Sequence, residues 1–257
     1  DWSSDVCSSD LLDISSINEQ CLTTLRNAVD YENVLLTSSC THALETAIMS
    51  LRLTSQDEVI VPSFTFMSVP NAVIREKAQV IFADIDPHTM NLDLNDVRQK
   101  LSPNTRAIIM MHYAGLSYNP WPLVNFCNEH DLTLIEDAAH CIGATWEGRA
   151  LGTFGDFGAI SFHQTKNIHC GEGGALIYKT ELEDSVLKII DKGTNRSDFH
   201  EGKIDRYDWV TLGSSFTMSA LCMPFLMSQL HSLSRVTAQR QTIWRQYHQL
   251  LSPLDKQ

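Results

Sequence analysis

The sequence has no long hydrophobic run and relatively few basic residues. A membrane-spanning helix needs about 20 apolar residues, and the nearest candidate, Met218–Leu230, is shorter and contains Pro224. The chain carries 19 Lys and Arg against 31 Asp and Glu, a net charge of −12. This charge disfavours nucleic acids and anionic membranes as partners, although one local cradle can still hold a phosphate group. We therefore expect a cytoplasmic protein that binds small molecules.

Several short motifs are also absent. None of the seven cysteines forms a CxxC pair and their number is odd, so we expect reduced thiols that mostly serve as core residues. No metal site is expected, because the sequence lacks HExxH and similar ligand spacings. The GxGxxG, GxxxxGKS/T and GxSxG motifs are missing too. Their absence disfavours dinucleotide-binding enzymes, P-loop NTPases and α/β-hydrolases.

The pattern that is present is an alternation of strands and helices. With 257 residues, 43% of them hydrophobic, the chain can bury a large core. Apolar spacing predicts strands over 34–37, 58–61, 79–84, 105–112, 132–136, 157–162 and 174–178. Helices are predicted over 12–29, 41–53, 94–101, 121–130 and 180–192, and a turn followed by a helix is predicted over 63–77. This alternation indicates an α/β fold with a mainly parallel sheet covered by helices.

The last part of the chain is predicted in less detail. The segment 193–213 is polar and has no regular period, and it is longer than an ordinary connection, which is typical of functional loops. The segment 216–251 predicts one or two helices, with Pro224 as a candidate position for a kink.

One lysine lies in a loop where a reactive group is expected. The stretch Ser161–Gly174, SFHQTKNIHCGEGG, places Lys166 between an apolar strand and a glycine cluster. The end of a strand in a polar loop is a common position for a site. A lysine amine becomes a nucleophile when burial or condensation with an aldehyde removes its charge. A solvated surface lysine is the alternative for Lys166.

Two other stretches carry complementary chemistry. Residues 134–140, LIEDAAH, form a strand that ends in two acids, and residues 35–43, LLTSSCTHA, read as strand, hydroxyl-rich turn and helix. A helix start of this kind can hold a phosphate group, or it can be an ordinary N-cap. An acid, a phosphate cradle and a lysine together are what pyridoxal phosphate requires.

Six motifs together suggest a family. In chain order they are SSCTHAL, PSFTF, HYAG, EDAAH, SFHQTKN and GTNRSDF. Over about residues 34–239 the chain resembles the DegT/DnrJ/EryC1/StrS sugar aminotransferases. The likeness is greatest to members that aminate a dTDP-linked 4-keto-6-deoxyhexose for enterobacterial common antigen. The resemblance implies the large domain of a fold-type-I enzyme that depends on pyridoxal phosphate.

The resemblance also implies catalytic roles. Lys166 would bind the cofactor covalently and then move the proton during amino transfer. Asp137 would pair with the pyridine nitrogen, and His140 would lie near the phenolic oxygen. Glu136 precedes Asp137, and strand alternation sends the two carboxylates to opposite faces, so one of them can meet the ring. A strand-end aspartate satisfied by water is the alternative for Asp137.

The remaining cofactor contacts are implied in the same way. Phe66 would stack on the ring, and the phosphate would be held by Thr41, the backbone of Cys40 and the Ser161 hydroxyl. Asn195 matches a position that reaches the phosphate of a neighbouring subunit, which implies a homodimer with a shared active site.

The resulting functional hypothesis is transamination of a dTDP-linked 4-keto-6-deoxyhexose, with glutamate as donor, for cell-surface polysaccharide synthesis. The alternatives are a pyridoxal phosphate-binding fragment or regulatory relative without turnover, and another pyridoxal enzyme such as a lyase. We expect residues 1–11 to be a non-native remnant, residues 12–235 to form the large domain, and residues 236–257 to begin a small domain that is largely missing. The stretch 214–223, SSFTMSALCM, departs from the family pattern.

Overall fold

The structure is a computed structural model that describes the backbone of residues 14–116 and 118–256, and the side chains of residues 16–116 and 118–254. The segment 1–11, with its expected non-native origin, lies outside the described residues. No helix in the described part of the chain is long and apolar enough to cross a membrane.

A seven-stranded sheet forms the centre of the molecule. Its strands are β1 (Val34–Thr37), β2 (Glu58–Pro62), β3 (Gln79–Ala83), β4 (Thr105–Met111), β5 (Thr133–Asp137), β8 (Phe157–Ser161) and β9 (Gly174–Tyr178). They are ordered β1-β9-β8-β5-β4-β2-β3, and β9 runs antiparallel to both of its neighbours while the other strands are parallel to one another. The short strands β6 (Thr145–Trp146) and β7 (Arg149–Ala150) form a separate hairpin. The prediction of a mainly parallel α/β sheet is confirmed.

The helices cover both faces of this sheet. They are α1 (Ile14–Val29), α2 (Cys40–Ser50), α3 (Ser68–Arg75), α4 (Leu94–Lys100), α5 (Trp121–Glu129), α6 (Glu183–Ile190), α7 (Arg196–His200), α8 (Met223–His231) and α9 (Leu233–Leu251). One apolar cluster includes buried residues of α1, α5 and α8, and a second includes those of α2, α3 and α6. Strands β4 and β8 are almost wholly buried between them, which explains their continuous apolar sequence.

Two expectations about the last part of the chain need correction. Pro224 does not kink a helix: it lies in the first turn of α8, where proline lacks no needed hydrogen bond. The chain instead breaks at Ser232, between α8 and α9. The segment 193–213, expected to be irregular, contains the short helix α7. Helix α9 runs through residue 236, where the second domain boundary is predicted, and that division stays a prediction.

The topology brings several chain segments to one edge of the sheet. In parallel strands the carboxyl ends lie together, so β4, β5 and β8 end side by side, at Met111, Asp137 and Ser161. Strand β1 ends at the same edge and leads into α2. Gly174 opens β9 against this helix start, and a Cβ there would lie 2.4 Å from the Cys40 backbone nitrogen. The absence of a side chain therefore lets α2 begin directly at the sheet edge.

Candidate active site

A cavity of about 480 Å³ opens at this edge. It is within the size range of small-molecule sites. Seven of the eight residues predicted from the sequence line it: Cys40, Thr41, Phe66, Asp137, His140, Ser161 and Lys166. The eighth, Asn195, does not line the cavity. Segments far apart in the sequence are thus brought together at one place.

Asp137 supplies a buried carboxylate to the cavity. Its side chain is 3% exposed, and Oδ1 accepts the Ala139 N–H at 3.1 Å. Burial raises the pKa of Asp137, while the Ala139 hydrogen bond and the charges of Lys166 and His112 act in the opposite direction. Burial destabilises the negative charge of this carboxylate. A cationic group of a ligand would stabilise that charge, so the position is well suited to bind one.

Glu136 faces the other side of the sheet, as strand alternation predicts. Its Oε2 meets His112 Nε2 at 2.7 Å and accepts the Gly152 N–H at 2.9 Å. Its Oε1 accepts the N–H groups of Phe154 and Gly155 at 2.6 and 2.7 Å. The carboxylate therefore joins β5 to the 152–155 turn and does not enter the cavity. The sequence interpretation missed its partner His112, although the HYAG motif that contains it was among the six.

The start of α2 forms one wall of the cavity. Ser39 caps the helix, and its Oγ accepts the His42 N–H at 3.1 Å. The first N–H groups of a helix, here those of Cys40 and Thr41, have no acceptor within the helix. The Thr41 and Ser68 hydroxyls are hydrogen-bonded at 2.7 Å. This arrangement of amides and hydroxyls at a positive helix end suits a phosphate group. Ser39 lies in the hydroxyl-rich turn that the sequence predicted, whereas Ser68 was not singled out from the sequence.

The loop that carries Lys166 is closed by backbone hydrogen bonds. Phe162 N–H donates to the Gly173 carbonyl and Gln164 N–H to the Gly171 carbonyl, each at 2.8 Å. The Lys166 N–H donates to the His163 carbonyl, also at 2.8 Å. The lysine side chain is half-buried and lines the cavity. Its charge acts on both Asp137 and His140, so its amine lies within electrostatic reach of both.

His140 is held in one orientation by the chain segment beside it. Its Nδ1 accepts the Ala114 N–H at 3.1 Å, so the proton of a neutral ring is on Nε2. Burial lowers the pKa of His140, and the Lys166 charge lowers it further. The left-handed backbone of Ala114 and Gly115 brings this segment close, and a Cβ on Gly115 would lie 2.7 Å from the His140 carbonyl oxygen. The neutral ring is therefore a hydrogen-bond donor through Nε2.

Aromatic side chains border the open side of the cavity. Phe64 packs edge to face on Tyr113 with ring centroids 5.0 Å apart, and Tyr113 packs on His140 at 6.1 Å. Phe66 also lines the cavity but is 64% exposed. Its stacking on a cofactor ring stays a prediction.

Asn195 lies outside the cavity, at the start of α7. Its Oδ1 accepts the Asp208 N–H at 2.7 Å and so joins the two ends of the 195–208 loop. The role predicted for Asn195 involves a neighbouring subunit, and it stays a prediction.

No candidate metal site is found among the described residues. Within residues 14–116 and 118–256, no group of three His, Cys, Asp or Glu side chains could hold an ion.

Comparison with known proteins agrees with this arrangement. The DegT/DnrJ/EryC1/StrS aminotransferase family matches residues 5–257. The chain belongs to this family. It is 32% identical to GDP-perosamine synthase of Vibrio cholerae, over 86% of this chain and 58% of that protein. It is also 32% identical to dTDP-4-dehydro-2,3,6-trideoxy-D-glucose 4-aminotransferase of Saccharopolyspora spinosa, over 87% of this chain and 60% of that protein.

A solved structure extends the comparison to the cofactor. NtdA of Bacillus subtilis, crystallised with the cofactor PMP, superposes with a TM-score of 0.84. The match has 26% identity and covers 93% of this chain and 53% of NtdA. Members of the DegT family use pyridoxal phosphate, so the cofactor prediction is confirmed. The chain spans about three fifths of the length of the curated relatives it matches.

The cavity also fits pyridoxal phosphate on its own residues. It contains a lysine for the aldehyde, a buried carboxylate for the pyridine nitrogen and a helix start for the phosphate. A neutral histidine donor lies beside the lysine and carboxylate. Each group of the cofactor thus has a complementary group in the cavity.

Proposed function

We propose that this chain is the large domain of a pyridoxal phosphate-dependent aminotransferase that acts on a nucleotide-linked keto sugar. The observation that carries the proposal is the presence of Lys166, Asp137 and the start of α2 in one cavity. The names of the two sequence relatives, both concerned with nucleotide-linked amino sugars, support the substrate class.

Pyridoxal phosphate, when bound, supplies an electron-accepting ring and carries the amino group from donor to acceptor. Asp137 would hold the ring nitrogen in its protonated form, because the buried carboxylate gains a cationic partner. The amides of Cys40 and Thr41 would bind the phosphate, together with the hydroxyls of Thr41 and Ser161.

Lys166 would hold the cofactor through its amine until the amino donor displaces it. The freed amine would then take the proton from the donor carbon and return it at the next position, as a general acid–base. His140 would donate from Nε2 to the phenolic oxygen of the cofactor, which its hydrogen bond from Ala114 makes possible. Phe66, at the rim, would cover the ring.

The finer assignment is amination of a dTDP-linked 4-keto-6-deoxyhexose, with glutamate as the donor. The six motifs set out above resemble most closely those of members that serve enterobacterial common antigen and cell-surface polysaccharide synthesis. The family match and the dTDP-sugar relative support the class of reaction.

We further propose that the working form is a homodimer in which Asn195 of one subunit completes the phosphate site of the other. Large apolar side chains around the cavity rim and the 195–208 loop support a partner surface there. Met67 is 71% exposed, and Trp209, beside that loop, is 75% exposed. Such exposure is typical of a protein–protein interface.

The first test is the visible absorbance of the purified chain with pyridoxal phosphate, before and after glutamate is added. We expect a band from the lysine–cofactor bond that bleaches with glutamate. If glutamate leaves the band unchanged but another amino acid bleaches it, that other amino acid is the donor. A band that responds to no donor would favour the alternative of a binding protein without turnover. The absence of any band would contradict the proposed cofactor site in this chain.

A further inference from the structure

Two side chains of the lysine loop, His163 and Glu172, line the cavity, and the proposed function gives neither of them a role. The backbone of the loop places them opposite each other. Two backbone hydrogen bonds, each 2.8 Å long, join residues 162–164 to residues 171–173 and flank the pair on either side. The positions of both residues on the cavity wall are therefore fixed by the loop itself.

The His163 ring is held in one tautomer by Thr165. Its Nδ1 accepts the Thr165 N–H at 3.3 Å and is hydrogen-bonded to the Thr165 hydroxyl at 2.9 Å. The proton of the neutral ring is therefore on Nε2. This nitrogen lies 3.3 Å from Oε1 of Glu172, so the ring donates to that carboxylate.

The contact between His163 and Glu172 is easily displaced. Its length of 3.3 Å is beyond the usual range of an N–H···O hydrogen bond, and the Glu172 side chain is 68% exposed. Ion pairs as exposed as this one contribute little to stability. An anion that enters the cavity can therefore take the place of the carboxylate on Nε2, while the Glu172 side chain turns to solvent.

The cavity offers few other basic side chains to an anionic ligand. Among the described residues that line it, the basic ones are Lys166, His140 and His163, and none is an arginine. Under the proposed function Lys166 holds the cofactor and His140 donates to its phenolic oxygen. A glutamate donor brings two carboxylates, and a charge that enters a cavity needs a partner. His163 is the basic side chain that remains for this purpose.

We propose that the Nε2–H group of His163 binds a carboxylate of the amino donor, and that Glu172 occupies this position until the donor displaces it. This inference rests on the proposed function, because it names a donor contact within the same site. It also explains selection for an acidic donor: a neutral amine would remove the carboxylate partner of His163 without replacing it.

The test is a calorimetric titration of glutarate into the chain loaded with pyridoxal phosphate. Glutarate has the carbon skeleton of glutamate without the amine, so it can bind but cannot transfer an amino group. His163→Asn keeps an acceptor for Thr165 and removes the donor at Nε2. The affinity for glutarate should therefore fall about tenfold, the effect of losing a hydrogen bond to a charged group.

Glu172→Gln should have the opposite effect. It replaces the charged competitor by a neutral one that His163 binds less strongly, so the affinity for glutarate should rise about two- to fivefold. In the double variant the competitor has no Nε2–H to occupy, so adding Glu172→Gln to His163→Asn should change the affinity by less than about twofold. Glu129→Gln, at the exposed end of α5, alters the net charge equally and should leave the affinity unchanged.

The proposal is overturned if the wild-type chain does not bind glutarate, if His163→Asn binds it as tightly as wild type does, or if Glu172→Gln fails to strengthen binding. The absorbance band of the loaded chain separates this failure from failure of the proposed function. A band together with unchanged glutarate binding contradicts only the role of His163. If no band forms, the cofactor site fails, and the same titration of the empty chain in phosphate buffer still decides the role of His163.

Discussion

Asp137 shows how one buried side chain can destabilise the empty protein and strengthen ligand binding. Its carboxylate has one backbone hydrogen bond and little solvent, so folding disfavours the charged form. A cationic partner reverses this effect, because the ion pair then replaces the lost hydration. The charged carboxylate therefore destabilises the protein when the cavity is empty and strengthens binding when the cavity holds a cationic group.

Asp137→Asn should have opposite effects on the empty and the loaded protein. The folded pKa of Asp137 is raised above 3.8, so the native state of the empty protein binds the proton more tightly than the unfolded state does. Wild-type stability is thus lost as pH rises from about 4 through the folded pKa. Asparagine does not titrate, so the empty variant should gain stability relative to wild type from pH 4 to 7.

The loaded variant should behave in the opposite way. Loss of a charge-assisted hydrogen bond of about 1.5–3 kcal/mol weakens cofactor binding about ten- to a hundredfold. Urea unfolding of the empty proteins across this pH range and cofactor titration measure the two effects. An empty variant whose stability parallels that of wild type at every pH would contradict the assigned environment.

Lys166→Ala should abolish covalent cofactor binding while the fold persists. Within the described residues the lysine amine makes no hydrogen bond or ion pair, so we expect the free energy of unfolding to change by about 0.5 kcal/mol or less. Borohydride reduction followed by mass spectrometry should add one cofactor to wild type and none to the variant. Lys100→Ala, at the exposed end of α4, is the matched control. A single reduced adduct in Lys166→Ala would show that another lysine holds the cofactor.

At the scale of elements, Glu136 connects segments that no local pattern relates. It belongs to β5, yet its four hydrogen bonds go to the end of β4 and to the 152–155 turn. The turn leads into β8, whose far end carries Ser161 into the cavity. The position of β8 at the site edge therefore depends partly on a carboxylate on the opposite face.

Glu136→Gln should destabilise the empty protein strongly. An amide can offer one acceptor oxygen, so its NH₂ group would face donors that now point to a carboxylate oxygen. Leaving buried charged or polar groups without partners costs about 3–5 kcal/mol. Urea unfolding is the measurement, and Glu129→Gln, at the exposed end of α5, is the control. A loss below about 1 kcal/mol would mean that the turn has another support.

At the scale of the whole molecule, the question is whether one chain contains a complete site. Asn195 lies outside the cavity of its own subunit, and its side-chain oxygen already holds the 195–208 loop. Replacement by aspartate keeps an acceptor for the Asp208 N–H but places a negative charge where a phosphate is expected. Asn195→Asp should therefore disrupt the proposed phosphate contact while it preserves the structure of the loop.

Mixing the Asn195→Asp and Lys166→Ala proteins should restore cofactor binding. In a mixed dimer, one site lacks both residues while the other has both intact. Random exchange of equal amounts should return about a quarter of the wild-type sites, because half of the dimers are mixed and each has one intact site. The absorbance band measures this recovery. A confirmed mixed dimer without recovery would contradict the shared site.

The sequence by itself determined the α/β class, most of the elements and seven residues of the cavity. These follow from local signals: apolar spacing predicts strands and helices, and motifs such as SFHQTKN keep reactive residues close to strand ends. The error at Pro224 has a local cause too, since proline starts a helix as readily as it kinks one.

Only the tertiary structure decided which groups share an environment. The insertion of β9 between β1 and β8 depends on pairing between distant segments, and so does the meeting of His112 with Glu136. Burial, charge and hydrogen-bond partners arise from such contacts, and they determine whether a carboxylate supports the fold, as Glu136 does, or lines the cavity, as Asp137 does.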